Sequence, residues 1–331
     1  MELRKATRTK AKLRIGVSGP AGSGKSYSAI LMAKGIVSDM SKVCIIDTES
    51  GSADLYSHLG NYNVIRMAED IKDLTPYSPE KFIAAIKMAE NAGMELCIID
   101  SVTPEWDGKG GCLESNDKIA NTKFKGNTWA AWSDTTPRHQ AFIDAIVGSS
   151  MHIITAVRNK TDTVQTDDKK IKKVGTKEIQ REGFEYELTV NFNIDRDKHY
   201  ATASKDRTSI FDKRDPFVID ESTGKELKEW AELGVDPAEE AAKKKAEKEA
   251  EESAQNILKE KKKIVDMSIK LGFVVPTDKT QNIPALTAFI KATTNDDYRS
   301  DLPLEGLVDI AEHLSFTFNE RAESAQGTLE I

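Results

Sequence analysis

Residues Val17 to Ile30 read VSGPAGSGKSYSAI. Within them Gly19 to Ser26 matches, in full, the pattern GxxxxGK followed by Ser or Thr. An apolar run, Leu13 to Ser18, precedes it with the character of a strand. A helical pattern follows, with Ala29, Ala33, Ile36 and Val37 on one face. In such a context each residue has a physical task. Gly19, Gly22 and Gly24 allow backbone N–H groups to converge on phosphates, and the helix N-terminus adds the positive end of its dipole. Lys25 offsets the β and γ charges, and the Ser26 hydroxyl is suited to magnesium. The expected nucleotide-binding set is Gly19, Pro20, Ala21, Gly22, Ser23, Gly24, Lys25, Ser26 and Tyr27, with ATP and Mg2+ as ligands. Taken alone, the stretch implies binding of a nucleoside triphosphate and no particular use of it.

A second element, MELCIIDS (Met94 to Ser101), is an apolar strand ending in Asp100. At the carboxyl end of a buried parallel strand beside the phosphate-loop strand, Asp100 is placed for the magnesium and its waters. The next residue is Ser101, where many hydrolases of this class carry the glutamate that polarises water. The best substitute is Glu49, at the end of the apolar strand in VCIIDTESGS (Val43 to Ser52). A plainer reading makes Asp47 and Glu49 caps of the loop after that strand. Glu105 in SVTPEW is a weaker candidate.

Outward from these motifs, Leu13 to about Asp220 alternates short β-branched runs with helical patterns, the signature of a mostly parallel sheet covered by helices. Further strands are expected at Val43–Asp47, Leu96–Asp100, His152–Val157, Tyr186–Ile194 and Tyr200–Ser204. SPEKFIAAIKMAENAG predicts a helix capped by Ser78, begun at Pro79 and stopped by Gly93. TPRHQAFIDAIVG repeats the device with Thr136, Pro137 and Gly148. After residue 235 the sequence becomes nearly all Ala, Glu and Lys, which predicts an exposed linker helix over 236–263 held by i,i+4 ion pairs, with Asp236 and Glu239 as its capping box. A small helical domain over 264–320 and a mobile tail over 321–331 are expected beyond it. The formal charge of −7 argues against a protein that coats nucleic acid over its whole surface, so any polyanion contact must be local. Cys44, Cys97 and Cys112 form no CxxC pair, and the five histidines show no metal spacing. No segment reaches membrane-spanning length, and the expected setting is the cytoplasm.

The IIDTE element, the CIIDSVTP strand end and HIITAVRNK (His152 to Lys160) together resemble the core of the RecA-like ATPases. More closely they resemble the phage ATPases of that group associated with single-strand annealing and recombination. The resemblance covers Lys12 to Trp230 and implies a RecA-like α/β fold, with Glu49 as catalytic carboxylate. It also implies that ASKDR supplies Lys205 and Arg207, which in RecA-like filaments reach a neighbouring subunit's γ-phosphate, so that hydrolysis depends on a homo-oligomer, ring or filament. The plainer reading of that pair is a solvated strand end. RecA carries a γ-phosphate-sensing glutamine where this sequence has Ala156, leaving Thr155 or Arg158 as substitutes.

In RecA-like proteins the loops after these two strands face DNA. Here the first includes NTKFKGNTWAAW, with Lys123, Phe124, Lys125, Trp129 and Trp132. The second runs from Arg158 through Lys160, Lys169, Lys170, Lys172 and Lys173 to Arg181. Cations that follow a phosphate chain, with aromatic faces for unpaired bases, suit sequence-tolerant binding of single-stranded DNA. The plainer readings are tryptophans in a helix core and lysines on a solvated hairpin. The basic N-terminal stretch MELRKATRTKAKLR reads as a disordered arm or as a strand that docks on a neighbour.

The expected function is therefore an ATP-hydrolysing, single-stranded-DNA-binding recombination or annealing protein. The alternatives are a helicase or packaging motor, and a nucleotide-gated adaptor whose C-terminal region recruits a single-strand-binding or replication protein. A small-molecule kinase would need an arginine-rich lid and an acceptor pocket, and neither is evident between Asp100 and Met151.

Overall fold

A computed structural model of the chain describes residues 5–70, 72–165, 171–272, 287–288, 290–292 and 303–327. It divides into two compact units, Met1–Val235 and Asp236–Ile331.

The first unit is built on a sheet with strands β1 (Arg14–Gly19), β2 (Val43–Asp47), β3 (Asn63–Arg66), β4 (Leu96–Asp100), β5 (His152–Gln165), β6 (Ile171–Glu178), β7 (Val190–Ile194), β8 (Tyr200–Asp206) and β9 (Phe217–Val218). Their order is β3-β2-β4-β5-β1-β7-β8-β9, with β6 paired to the outer part of β5. From β3 to β7 neighbours run parallel, while β8, β9 and β6 are antiparallel. The parallel strands β1, β2 and β4 are buried along their whole length, as strands covered on both faces must be.

Helices α1 (Lys25–Ile36) and α6 (Glu221–Glu232) cover one face. Their core joins Ile15, Val17, Ala29, Ala33 and Ile45 to Leu227 and Ala231. The two helices touch at glycines: a Cβ on Gly35 would lie 2.1 Å from the Glu221 carbonyl oxygen, and one on Gly224 2.1 Å from that of Met32. On the other face α2 (Pro79–Asn91) and α5 (Thr128–Gly148) close a core of Phe82, Ile86, Phe142 and Ile146 against Ile46, Ile99 and Ile153. The short α3 (Thr103–Asp107) leads from β4 to α4 (Cys112–Lys123), which packs on α5.

Several expectations need correction. The helix expected to begin at Pro137 begins instead at Thr128, where the Asn127 side chain accepts from the Ala130 N–H at 3.0 Å. Pro137 then lies inside it, and the helix persists because Ala131, Thr135, His139, Phe142 and Ile146 are buried along its length. NTKFKGNTWAAW is not a loop: it is the end of α4, a turn and the start of α5, with Lys125 and Gly126 at positive φ in the turn. Tyr186 precedes strand β7, in a 3-10 turn over Phe184–Glu187. Asp100 is not on the strand beside the phosphate-loop strand, because β5 runs between β4 and β1. Within the basic N-terminal stretch, the described residues Arg8 and Lys10 bond to their own unit. Arg8 donates to the carbonyls of Leu233 and Trp230 at 3.0 and 2.7 Å, and Lys10 N–H donates to Val235. Arg14 is buried in β1, where its guanidinium donates to the carbonyls of Leu13, Val147, Ser149 and Met151.

In the second unit α7 (Pro237–Lys270) carries i,i+4 pairs such as Lys244–Glu240 at 2.8 Å and continues past the expected linker. Its end shares a core with α8 (Leu304–Gly327), in which Ile264 meets Ile290, Leu307, Ile310 and Leu314. α8 also runs on into the stretch expected to be a tail. No helix among the described residues is long and apolar enough to cross a membrane.

Candidate functional site

The carboxyl ends of β1, β2, β4 and β5 form one edge of the sheet, and the loop after β1 lies along it. Gly22 and Gly24 hold φ of 78° and 91°, a region that strains any residue with a Cβ, so the loop's curvature rests on them. Gly24 opens α1. The Lys25 ammonium is buried and donates to the carbonyls of Gly19 and Pro20, each at 3.0 Å. Burial lowers its pKa, against the opposing pull of the Asp100 and Glu49 carboxylates.

Asp100 ends β4 level with Asp47 on β2 and Ala156 on β5. It is almost fully buried, and burial raises its carboxyl to about 6, partly offset by a hydrogen bond with the Ser26 side chain. Its Oδ1 has no protein partner. A buried carboxylate oxygen with spare acceptor capacity, joined to a hydroxyl, is an oxygen-donor set that fits Mg2+. Asp100 and Ser26 are the residues that would hold the cation, which when bound would neutralise phosphate charge.

Asp47 and Glu49 have separate roles. Asp47 accepts backbone N–H bonds from Glu49 (2.7 Å), Gly51 (2.8 Å) and Ala53 (3.4 Å), so it caps the loop after β2. Glu49 is turned towards the phosphate loop, where its Oε1 accepts from Arg158 Nε at 3.0 Å and Nη2 at 2.7 Å. Arg158 is level with Gly19 across the β1–β5 pairing, whereas Ala156 is buried and level with Val17. Thr155 is also buried and donates to the Ile15 carbonyl at 3.2 Å. Of Thr155, Ala156 and Arg158, it is thus Arg158 that meets the phosphate edge, with Asn159 beside it in the same cavity. Gly24, Lys25, Ser26, Glu49, Tyr56 and Arg158 are among the residues lining a cavity of about 390 Å³. Tyr27 packs edge-on against Tyr56 with ring centroids 6.3 Å apart at the rim.

Lys205 and Arg207 lie elsewhere. Because β8 runs antiparallel to β7, Lys205 is level with Asn191 and hence with Gly16 of β1. That is three residues, about 10 Å, down the strand from Gly19, towards the opposite edge of the sheet. Lys205 donates to the carbonyls of Glu185 and Tyr186, and Arg207 donates to that of Tyr186 at 2.6 Å. Neither reaches the phosphate loop of its own chain.

Sequence reasoning missed the turn between β7 and β8. There His199 Nδ1 lies 2.9 Å from the Ser23 carbonyl, and Arg196 Nε lies 3.9 Å from where a Gly22 Cβ would stand. Nothing in the spacing of Arg196 and His199 ties them to a loop some 175 residues earlier. It also missed a buried cluster behind α3. His139 Nδ1 is 3.0 Å from Glu105 Oε1, Cys112 Sγ–H donates to the same oxygen at 3.1 Å, and Gln180 Nε2 donates to Glu105 Oε2 at 3.3 Å. Burial, with Glu105 second, pushes the Cys112 thiol well above its ordinary value. The three side chains bring potential metal-ligand atoms within 4.8 Å of one another, a proximity that these hydrogen bonds already explain.

Of the expected nucleic-acid residues, Lys123 is paired with Asp134 at 2.6 Å and stands over the Phe124 ring, while Lys125 occupies the α4–α5 turn. Arg158 and Lys160 are on β5, and Lys172 and Lys173 on the backbone of β6, which pairs antiparallel with β5. Lys169 and Lys170 lie outside the described residues.

Residues 11–248 match the family model described as AAA domain. The chain belongs to the AAA-domain family. The DNA repair and recombination protein RadB of Methanococcoides burtonii is 30% identical over 112 residues, 32% of this chain and 50% of that protein. The chain therefore spans about half the length of that curated relative. Among solved structures, a KaiC-like protein from Pyrococcus horikoshii OT3 is 14% identical with a TM-score of 0.37, over 62% of this chain and 86% of its own. This AAA-domain chain has a P-loop core: a mostly parallel sheet flanked by helices with the phosphate loop at its carboxyl edge.

Proposed function

We propose that this chain binds Mg2+ and ATP at the β1 loop and hydrolyses the nucleotide as a homo-oligomer on single-stranded DNA, in recombination or annealing. The observation that carries the reading is Glu49. It is a carboxylate at the phosphate edge, not consumed in capping its own loop, and it shares one cavity with Lys25 and Ser26. Glu49 would orient and deprotonate the attacking water, and Arg158, which holds it, would exchange that carboxylate for the γ-phosphate. RadB, similar to this chain over 112 residues, is a DNA repair and recombination protein, which supports the DNA substrate. The distance of Lys205 and Arg207 from their own phosphate loop supports a role on a neighbour's.

The test is phosphate release from Mg-ATP with and without an oligothymidylate, for the full chain and for Lys25→Ala and Arg207→Ala. DNA is expected to raise the rate, each variant to depress it roughly a hundredfold, and an equimolar mixture of the two variants to recover part of it. Recovery follows because a mixed interface joins an intact phosphate loop to an intact Arg207. Full activity of Arg207→Ala would remove the trans-acting role, and a rate indifferent to DNA would remove the DNA-coupled one.

A further inference from the structure

Three of the chain's four tryptophans meet on one surface. Trp106, from α3, stacks on Trp132, from α5, with centroids 5.6 Å apart and planes 18° from parallel. The Arg181 guanidinium stands 5.9 Å from the Trp132 ring centroid. Trp129, one turn earlier on α5, is 87% exposed. These four residues line an open cavity of about 390 Å³. An indole as exposed as Trp129 gains little from its own fold, and the half-buried Trp106–Trp132 stack borders the same cavity with Arg181.

The platform is rigid underneath. His139 meets Trp106 edge-on at 5.5 Å and is itself held by Glu105, while Gln180, next to Arg181, donates to Glu105 and to the Val102 carbonyl. Cations stand beside it, some of them with carboxylate neighbours: Asp134 pairs Lys123, and the cavity that holds Lys160 and Lys177 also holds Asp107, Glu178 and Glu182. Lys123 and Lys125 lie at the α4–α5 turn, and Lys160 and Lys177 line an adjoining cavity that shares Trp106 and Arg181.

We infer that Trp106, Trp129, Trp132 and Arg181 form a stacking platform for the unpaired bases of a single-stranded nucleic acid, whose phosphates follow the flanking lysines. The inference rests on the proposed function and adds to it the surface that takes the strand. Aromatic faces stack on any base, so the platform is tolerant of sequence, and paired bases, already stacked, cannot use it. A protein partner would suit the exposed indole, but not the neighbouring lysines, which are depleted from the cores of protein interfaces. The platform also adjoins the nucleotide site: α3 starts three residues after Asp100, and its Thr103 Oγ1 accepts from Arg158 N–H at 2.9 Å.

The test uses the full chain carrying Trp230→Phe, so that its emission comes from the platform alone; Trp230 lies apart, under Arg8. A labelled oligothymidylate is titrated while tryptophan emission and label anisotropy are read together. Quenching is expected to track binding, Trp129→Ala to weaken binding about tenfold, and Trp129→Phe to keep most of it, with circular dichroism unchanged throughout. If the oligonucleotide binds the parent and Trp129→Ala equally, without quenching, the strand goes elsewhere: the platform fails while the DNA reading stands. If anisotropy never changes, with or without ATP, the DNA reading itself fails and the platform with it. Equal quenching by a duplex, or loss of self-association in Trp129→Ala with DNA binding intact, would also overturn the assignment.

Discussion

Asp47, the last residue of β2, and Glu49, two residues on, are acids that the plainer sequence reading assigns alike to capping the loop. The structure separates them by direction: Asp47 binds three backbone N–H groups of its own loop, and Glu49 faces Arg158 across the phosphate edge. Stability and chemistry should therefore divide between them. Asp47→Ala is expected to cost about 1–3 kcal/mol in denaturant unfolding, because three partly buried donors lose a charged acceptor. Glu49→Gln should stay within about 0.5 kcal/mol of the parent. Equal losses would contradict the division. The phosphate loop itself was legible residue by residue, since glycine, lysine and serine are each required where they stand. The residue at the tip of β5 was not. Deciding between Ala156 and Arg158 needs the register of β5 against β1, and register is set by which strands become neighbours.

At the scale of elements, the alternation of strands and helices was legible because the parallel strands are apolar throughout and the helices carry their breakers. Lateral order was not, since a right-handed crossover does not say how many strands it passes, and β5 lies between β1 and β4. Thr136-Pro137 carried a genuine start signal that the longer α5 overrode through the Asn127 cap and its buried face. The α1–α6 contact illustrates a constraint visible only in three dimensions. Gly35 and Gly224 look dispensable in a helical pattern, yet either Cβ would drive into the facing backbone. Gly35→Ala is accordingly expected to destabilise the first unit by about 1–3 kcal/mol in spite of alanine's better helix propensity. A gain in thermal stability would show that α6 yields without cost.

Across the whole molecule, a net charge of −7 leaves local basic residues, such as Arg181 beside three tryptophans, as the candidate polyanion contacts. The composition change at residue 235 coincides with the division between the units, each with its own apolar core. Composition could mark that junction because an Ala, Glu and Lys helix buries little, whereas the packing of α7 with α8 depends on sparse apolar residues such as Ile264 and Leu307. The candidate site was legible only in part for the same reason that its outermost pieces are scattered. Arg158, Arg196 and His199 come to the phosphate loop through sheet pairing, while Lys205 and Arg207 are carried away from it by the antiparallel turn of β8. We propose that this edge hydrolyses ATP with Glu49 as its base. The direct measurement is phosphate release from Mg-ATP by the full chain and by Glu49→Gln under saturating nucleotide, with ATP binding followed in parallel. Glu49→Gln is expected to lower turnover about a hundredfold or more with binding retained, and equal turnover in the two proteins would remove Glu49 as the base.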